Sequence, residues 1–354
     1  MRNILSRNKR LAPTLAALII LFAGLIVRHN MVASVSTDKP WERWSADSTE
    51  YGYVAAYYAE NEGVAIDSIQ SYRGSLDTAL TEASVEVRKG TRGYVDAYSA
   101  SGNADIYSDR SSNTSTVNVT AVGGDYYFIH PMRLLYGSYI SDDDLMKDRV
   151  VVDEGTAWFL YGSSNIIGKS LMIGNDRFYI AGVVQAPDSK TSEKTYGSRN
   201  RIYMSYDAFS KLNQDAKITC YEIIYPDMIT NFAYKTLRKT LGLSDDGTDV
   251  TESGVTDDNN IDVVNMNTRF RISNIWSVLC SYGERSSHTD GIIYPFWENE
   301  CRRIEDMLVL ELILRIVCIV CIIVCVIPYL VMCFRFCRSK VKNIINVVSS
   351  KVRH

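Results

Sequence analysis

Chemistry would need a nucleophile beside a base, or a set of metal ligands, so the histidines, acid runs and cysteines are read first. The four histidines are His29, His130, His288 and His354, and no two fall at metal-ligand spacing. Ser141-Asp142-Asp143-Asp144 crowds three carboxylates onto one turn. Calcium loops instead place ligands at alternate positions around a glycine, so this run predicts a helix N-cap with acids facing the helix dipole. Gly168-Lys169-Ser170 lacks the glycine a phosphate-binding loop needs six positions before its lysine, because that position is Ser163. The stretch leads into strand-like residues rather than a helix, which predicts a turn before a hairpin. There is no Gly-x-Ser-x-Gly elbow, and the sequence offers no catalytic, metal or cofactor site.

Of the eight cysteines, Cys318, Cys321, Cys325, Cys333 and Cys337 lie in or beside an apolar run, where they read as small packing residues. Cys220, Cys280 and Cys301 are the others, enough for one disulfide at most, with Cys280–Cys301 the conceivable pair.

The elements that would carry these residues begin with two uncharged runs. Residues 11–27 (LAPTLAALIILFAGLIV) would cover ~25 Å as a helix, enough to cross a hydrocarbon layer, with Pro13 near the start. A cleaved signal peptide is the competing reading, but no small-x-small site follows. Residues 316–334 (IVCIVCIIVCVIPYLVMCF) would span ~28 Å, with a kink at Pro328. Just before them Glu311 and Arg315 stand four apart, either an exposed juxtamembrane pair of small energetic weight or part of a helical stalk leaving the bilayer.

The 38 basic and 41 acidic residues are segregated. Ten of the basic ones lie in residues 1–10 and 335–354, which hold no acid, so residues 11–334 carry a net charge of −13. Basic ends around an acidic middle predict two cytoplasmic termini and an outer domain, and argue against nucleic acid as a partner. Val341, Ile344, Ile345, Val348 and Val352 recur at steps of three and four among basic and polar residues, predicting an amphipathic tail helix. It could lie on the anionic lipid of the bilayer.

Between the runs, residues 51–58 read as a strand and 65–85 as an amphipathic helix. Residues 93–99 and 104–108 read as strands joined by a Ser-Gly-Asn turn, and 114–122 as a half-buried strand. Residues 125–136 read as helical unless Pro131 interrupts. Strand 150–152, helix 156–160 and a hairpin turning at Gly174-Asn175 follow. Then come strand 201–204, helix 206–212, strand 217–225, and a helix capped by Pro226-Asp227 with Ile229, Ala233, Leu237 and Leu241 on one face. Residues 244–260, with six acids, read as a loop, 261–264 as a strand and 270–279 as a helix. The 23 tyrosines read mainly as strand packing.

Several motifs occur in the order of a known family. They are Tyr136-Gly137 with Asp143 or Asp144, residues 149–153 (RVVVD), 157–162 (AWFLYG), Ile167-Gly168-Lys169, and 178–184 (FYIAGVV). This order resembles the extracytoplasmic core domain of MacB-type (FtsX/MacB) ABC-transporter permeases. Val122-Gly123-Gly124-Asp125, Ala157-Trp158 and Tyr294-Pro295-Phe296-Trp297-Glu298-Asn299 resemble the Firmicutes branch, and the likeness covers roughly residues 1–335.

The resemblance implies an α+β fold of strand–helix units with an inserted β-rich lobe, flanked by two transmembrane helices. The expected layout is a basic N-terminus over 1–10, a first transmembrane helix over 11–28, and the core domain over 29–306 with its lobe at about 112–190. A stalk and second transmembrane helix over 307–334 and the basic tail over 335–354 follow. The implied role is a non-enzymatic permease subunit working with a separate ATPase, whose contact would fall on the tail. Family members continue with further membrane helices, so a fuller permease subunit is an expected partner. A membrane-anchored binding or sensor module is the alternative.

Overall fold

The computed structural model describes residues 2–36, 39–45, 50–85, 92–109, 111–188, 190–197, 200–229, 231–243, 261–283 and 291–352. The acidic stretch 244–260, His288 and His354 lie outside the described residues. The chain divides into two compact units. One joins helix α1 (Arg2–Ser36) with the later part of a 57-residue helix, α10 (Phe296–Val352). The other, Val35–Glu305, is built on a ten-stranded sheet.

In chain order that unit runs α2 (Pro40–Trp44), β1 (Tyr51–Tyr58), α3 (Ile66–Glu82), β2 (Val95–Ser108), β3 (Ser111–Gly124), α4 (Tyr126–Ile129) and β4 (Leu134–Gly137). It continues β5 (Arg149–Asp153), α5 (Glu154–Tyr161), β6 (Ser170–Ile173), β7 (Asp176–Val184), α6 (Lys190–Tyr196), β8 (Arg201–Ser205) and α7 (Tyr206–Leu212). Then come β9 (Cys220–Pro226), α8 (Phe232–Thr240), β10 (Ile261–Asn265) and α9 (Ile272–Cys280), before the first turns of α10. The sheet order is β10-β1-β9-β2-β3-β8-β5-β7-β4, with β6 pairing β2 and β7. Strands β3/β8 and β5/β7 run parallel, and the other pairs antiparallel.

Strand β1 lies between β9 and β10 and is buried on both faces, which explains its unbroken run of apolar and tyrosine residues. Its side chains divide with period two. Val54, Ala56 and Tyr58 join a core under α3, α5, α7 and α8, while Tyr53 joins the opposite face with α4, Trp41 and Trp44. Tyrosine is chiefly a core residue here, with Tyr57, Tyr58, Tyr126, Tyr203, Tyr221 and Tyr225 fully buried.

Helix α5 shows how local chemistry sets an element. Asp153 caps it by accepting from Thr156 N at 2.7 Å, and Gly162, at φ 64°, closes it by donating to Trp158 O. The same carboxylate accepts from Arg201 N (2.8 Å) and the Tyr196 hydroxyl (3.2 Å), tying β5 to β8. Asp153→Ala strands these donors in the core. It is expected to cost about 2 kcal/mol, read as a fall of roughly 4–8 °C in Tm.

Four sequence readings are corrected. Residues 93–108 form no turn at Ser101-Gly102-Asn103. Strand β2 runs straight through, because Gly102 passes beneath the Phe209 ring, where a Cβ would come within 2.6 Å of Cζ. Residues 125–136 are helical only to Ile129, and Pro131 disfavours helix in the residue before it. Residues Leu134–Gly137 then pair with β7 instead.

Ser141–Asp144 caps no helix. Asp142 Oδ2 accepts from Gly124 N at 2.6 Å, Asp143 N donates to Ser141 Oγ, and Lys147 sits at φ 53°, which breaks any helix there. The eighth helix starts at Phe232 rather than at Pro226, which still belongs to β9. Asp227 reaches forward to accept from Ala233 N, and Ile229 is left exposed. Cys220, Cys280 and Cys301 are all free thiols.

Candidate functional site: a buried ionic clamp at the root of the long helix

Glu298, Arg302 and Glu305 recur at steps of four and three, so they share one face of the first turns of α10. That face meets the end of the sheet at β10 and the loop after it. Arg269, from that loop, is 1% exposed, and Glu298 and Glu305 are fully buried. Its guanidinium donates through Nη1 and Nη2 to both oxygens of Glu298, at 2.7 and 2.9 Å, and through Nε to Glu305 Oε1 at 2.8 Å. The two-pronged fit is the one arginine makes best with a carboxylate.

A second arginine extends the cluster. Arg302 Nε donates to Glu298 Oε1 at 3.0 Å, and its Nη2 contacts Asp262 of β10, itself fully buried. The Arg302 guanidinium lies 3.6 Å from the centre of the Tyr294 ring, whose hydroxyl donates to Asp262 Oδ2 at 2.9 Å. Tyr57 of β1 donates to Glu298 Oε2 at 3.2 Å. Two arginines and three buried carboxylates, mutually paired, therefore bind the helix to the two strands at this edge of the sheet.

Burial alone would lower the basicity of Arg269, but Glu298 and Glu305 more than offset it and hold the guanidinium well above its ordinary value. Burial raises the Asp262 carboxyl, against the pull of Arg302.

Next to this cluster a buried carboxylate bridges two strands and a histidine. Glu222 of β9 accepts from the Tyr53 hydroxyl at 2.6 Å and lies 2.7 Å from His130 Nε2. The His130 ring packs 4.5 Å from that of Trp297, the neighbour of Glu298. The carboxylates of both clusters are committed to arginines, hydroxyls and His130. Among the described residues no group of three His, Cys, Asp or Glu could hold a metal ion.

The residues singled out in the sequence lie elsewhere. Arg315 donates to Glu311 Oε1 through Nη2 at 2.6 Å and Nε at 3.1 Å. The pair is sheltered rather than exposed, at 15% and 10%, and a Cβ on Gly24 of α1 would sit 3.1 Å from Glu311 Oε1. Val341 is exposed on α10. The backbone at Ile344, Ile345, Val348 and Val352 is helical, and their side chains lie outside the described ones.

The clamp was missed because Asp262 and Arg269 stand 29 to 40 residues from their partners. The helical spacing of Glu298, Arg302 and Glu305, inside and just after the Tyr294–Asn299 motif, was the available signal.

Burial also raises the carboxyls of Asp125, Asp142, Asp153 and Asp227 above the usual 3.8. Between 3.8 and its raised value, each group keeps in the folded state a proton that the unfolded chain releases, so stability falls as pH rises through that interval. The urea midpoint is expected to be higher at about pH 4.5 than at neutrality relative to Asp142→Asn, which removes one contributor to the slope.

Among the described residues two helices are long and apolar enough to cross a membrane, within Ala12–Val35 and Phe296–Phe336. The family profile described as "MacB-like periplasmic core domain" matches residues 45–234. Among solved structures, the periplasmic region of MacB from Actinobacillus actinomycetemcomitans is 16% identical, with TM-score 0.40, over 61% of this chain and 89% of that one. The extracellular domain of the noncanonic ABC-type transporter YknZ from Gram-positive bacteria is 11% identical, with TM-score 0.38, over 61% and 100%. A domain of a putative permease protein from Porphyromonas gingivalis is 10% identical, with TM-score 0.33, over 64% and 96%. A search of the curated proteins found no match. With the profile covering more than half of a chain whose sheet domain is flanked by two apolar helices, the chain belongs to the MacB-like periplasmic core domain family of ABC-transporter permeases.

Proposed function

We propose that the chain is a permease-type subunit of an ABC transporter, with both termini cytoplasmic and the sheet domain outside. In this reading α10 carries motion between a separate ATPase and the sheet. The observation that supports it is the clamp. A helix held by apolar contacts alone could slide in register at modest cost. Shifting Glu298 or Glu305 away from Arg269 would instead leave charge buried and unpaired, at a cost of several kcal/mol. A displacement of the helix is therefore passed to β10 and β1 instead of being absorbed at the joint.

The basic ends fit the cytoplasmic side, and the face carrying Val341, Ile344, Ile345, Val348 and Val352 is where an ATPase would touch. The test is co-purification in mild detergent. An ATPase subunit accompanies the full chain and is lost on deleting residues 341–354. Glu298→Gln keeps the subunit but weakens the response of its ATP hydrolysis to the outer domain. Recovery of no ATPase with any form of the chain would overturn the proposal in favour of a membrane-anchored binding module.

A further inference from the structure

We infer that the groove beside the start of β5 is a docking site for a segment of a partner protein carrying lysine or arginine next to a large apolar side chain. The groove has a volume of about 750 Å³ and is lined by Tyr179, Ile180 and Ala181 of β7. One wall is the loop leading into β5, and the other is the turn at Ile167-Gly168 before β6. Tyr179 N donates to Asp148 O at 2.8 Å and Gly168 N to Ile180 O at 2.9 Å, so the walls are tied to opposite edges of β7. Asp143, Asp144, Arg149, Ile167, Gly168 and Tyr179 come from separate motifs whose order carried the family resemblance. The fold gathers them here, away from the residues of the ionic clamp.

Two of the lining side chains are unusually bare. Leu145 and Met146 are 97% and 78% exposed, and Ile167 and Tyr179 are exposed as well. An aliphatic pair so placed gains nothing from the domain's own core. An apolar patch within a polar rim is the pattern of a surface that another molecule covers, and methionine adapts well to such contacts. Charge decides which molecule. Asp143, Asp144 and Asp148 line the groove against one cation, Arg149, which stands 3.9 Å from Asp144. The neighbouring lysines are turned to other groups. Lys147 meets Asp207 at 3.5 Å and Asp142 O, and Lys169 lies 4.5 Å from the centre of the Tyr161 ring. Three acids against one base repel an anionic bilayer, a nucleic acid and a second copy of the same acidic surface, and attract a basic one. A small cation inside the groove would leave Leu145 bare, whereas a protein segment covers groove and rim together. The site stands apart from the proposed ATPase contact and from the membrane placement.

The test titrates the full chain, in phosphatidylcholine nanodiscs, with fluorescein-labelled hexapeptides of alternating lysine and leucine, lysine and serine, or glutamate and leucine. Anisotropy is read against empty nanodiscs. Saturable binding of the lysine–leucine peptide alone is expected, falling as salt is raised. Asp143→Asn with Asp148→Asn should weaken it roughly three- to tenfold, and Leu145→Ser with Met146→Ser at least about tenfold. The bare Leu145 and Met146 can be changed without touching the core, which guards against misfolding. Gly168→Asn is a steric check: nothing lies within 4 Å of a Cβ there, and asparagine tolerates the left-handed backbone, so its side chain obstructs the groove alone. No saturable binding, or binding that ignores all three variants, overturns the proposal. Equal binding of the glutamate–leucine peptide overturns it too, since charge would then play no part. Groove-dependent binding of tetraphenylphosphonium without any peptide overturns it in favour of a small lipophilic cation. Self-association abolished by Leu145→Ser with Met146→Ser overturns it in favour of a contact between copies.

Discussion

Replacing Arg269 by Met is expected to cost the outer domain about 3–5 kcal/mol, because it leaves Glu298 and Glu305 buried without their shared partner. Met matches the length of the arginine stem, so packing is largely retained and the loss reports charge. At roughly 2–4 °C per kcal/mol for a domain of this size, Tm should fall by at least about 6 °C. The informative control is the triple variant Arg269→Met, Glu298→Leu, Glu305→Leu, which removes the stranded carboxylates as well. It is expected to recover most of the loss, since well-packed apolar groups often match a buried ion cluster in stability. Arg302 keeps Asp262 in that variant. A triple variant no better than Arg269→Met would mean that the cluster is held by shape and not by charge. If the triple variant folds well but no longer transmits helix movement, the ions serve register rather than stability.

Gly137→Ala is the second large effect expected. This residue sits at φ 79°, where a side chain costs roughly 1–2 kcal/mol. A Cβ there would also lie 2.0 Å from the Ala181 carbonyl oxygen, on the strand with which β4 pairs. Backbone cannot step aside as a side chain can, so overpacking adds about 1–3 kcal/mol, and the sum is roughly 2–5. Gly168 separates the two terms. It has nearly the same backbone, φ 76°, with nothing within 4 Å of its would-be Cβ. Gly168→Ala should therefore show the conformational cost alone. Urea midpoints of the two variants check this, and equal losses would refute the steric contribution at Gly137.

Both residues belong to motifs that marked the family in the sequence. Tyr136-Gly137 and Ile167-Gly168-Lys169 could be recognised by type and order, but their physical reasons differ, and only the tertiary contacts separate them. The same contrast holds at Gly102. In sequence Ser-Gly-Asn reads as a turn, whereas in the fold the missing Cβ makes room for Phe209 over a continuous strand. Glycine signals that something is special about the backbone or its neighbour without saying which.

What the sequence determined by itself were features written in short-range periodicity and composition. The two uncharged runs, strand β1, the amphipathic helix α3, the hairpin of β6 and β7, and the pairing of β8 with a following helix are all visible within a few residues. They arise from helical spacing, strand alternation and turn chemistry, which act between near neighbours. The family membership was legible for the same reason, because it rests on the order of such local motifs.

Tertiary structure alone decided the sheet order, which sets β1 between β9 and β10, and the partnership of Arg269 with Glu298 and Glu305 across 29 and 36 residues. A buried charge is tolerable only where the fold brings its counter-charge, and no local rule says which distant acid that will be. In one dimension nothing marks the helix face bearing Glu298, Arg302 and Glu305 as buried. Desolvation by the sheet edge makes it a buried ion cluster.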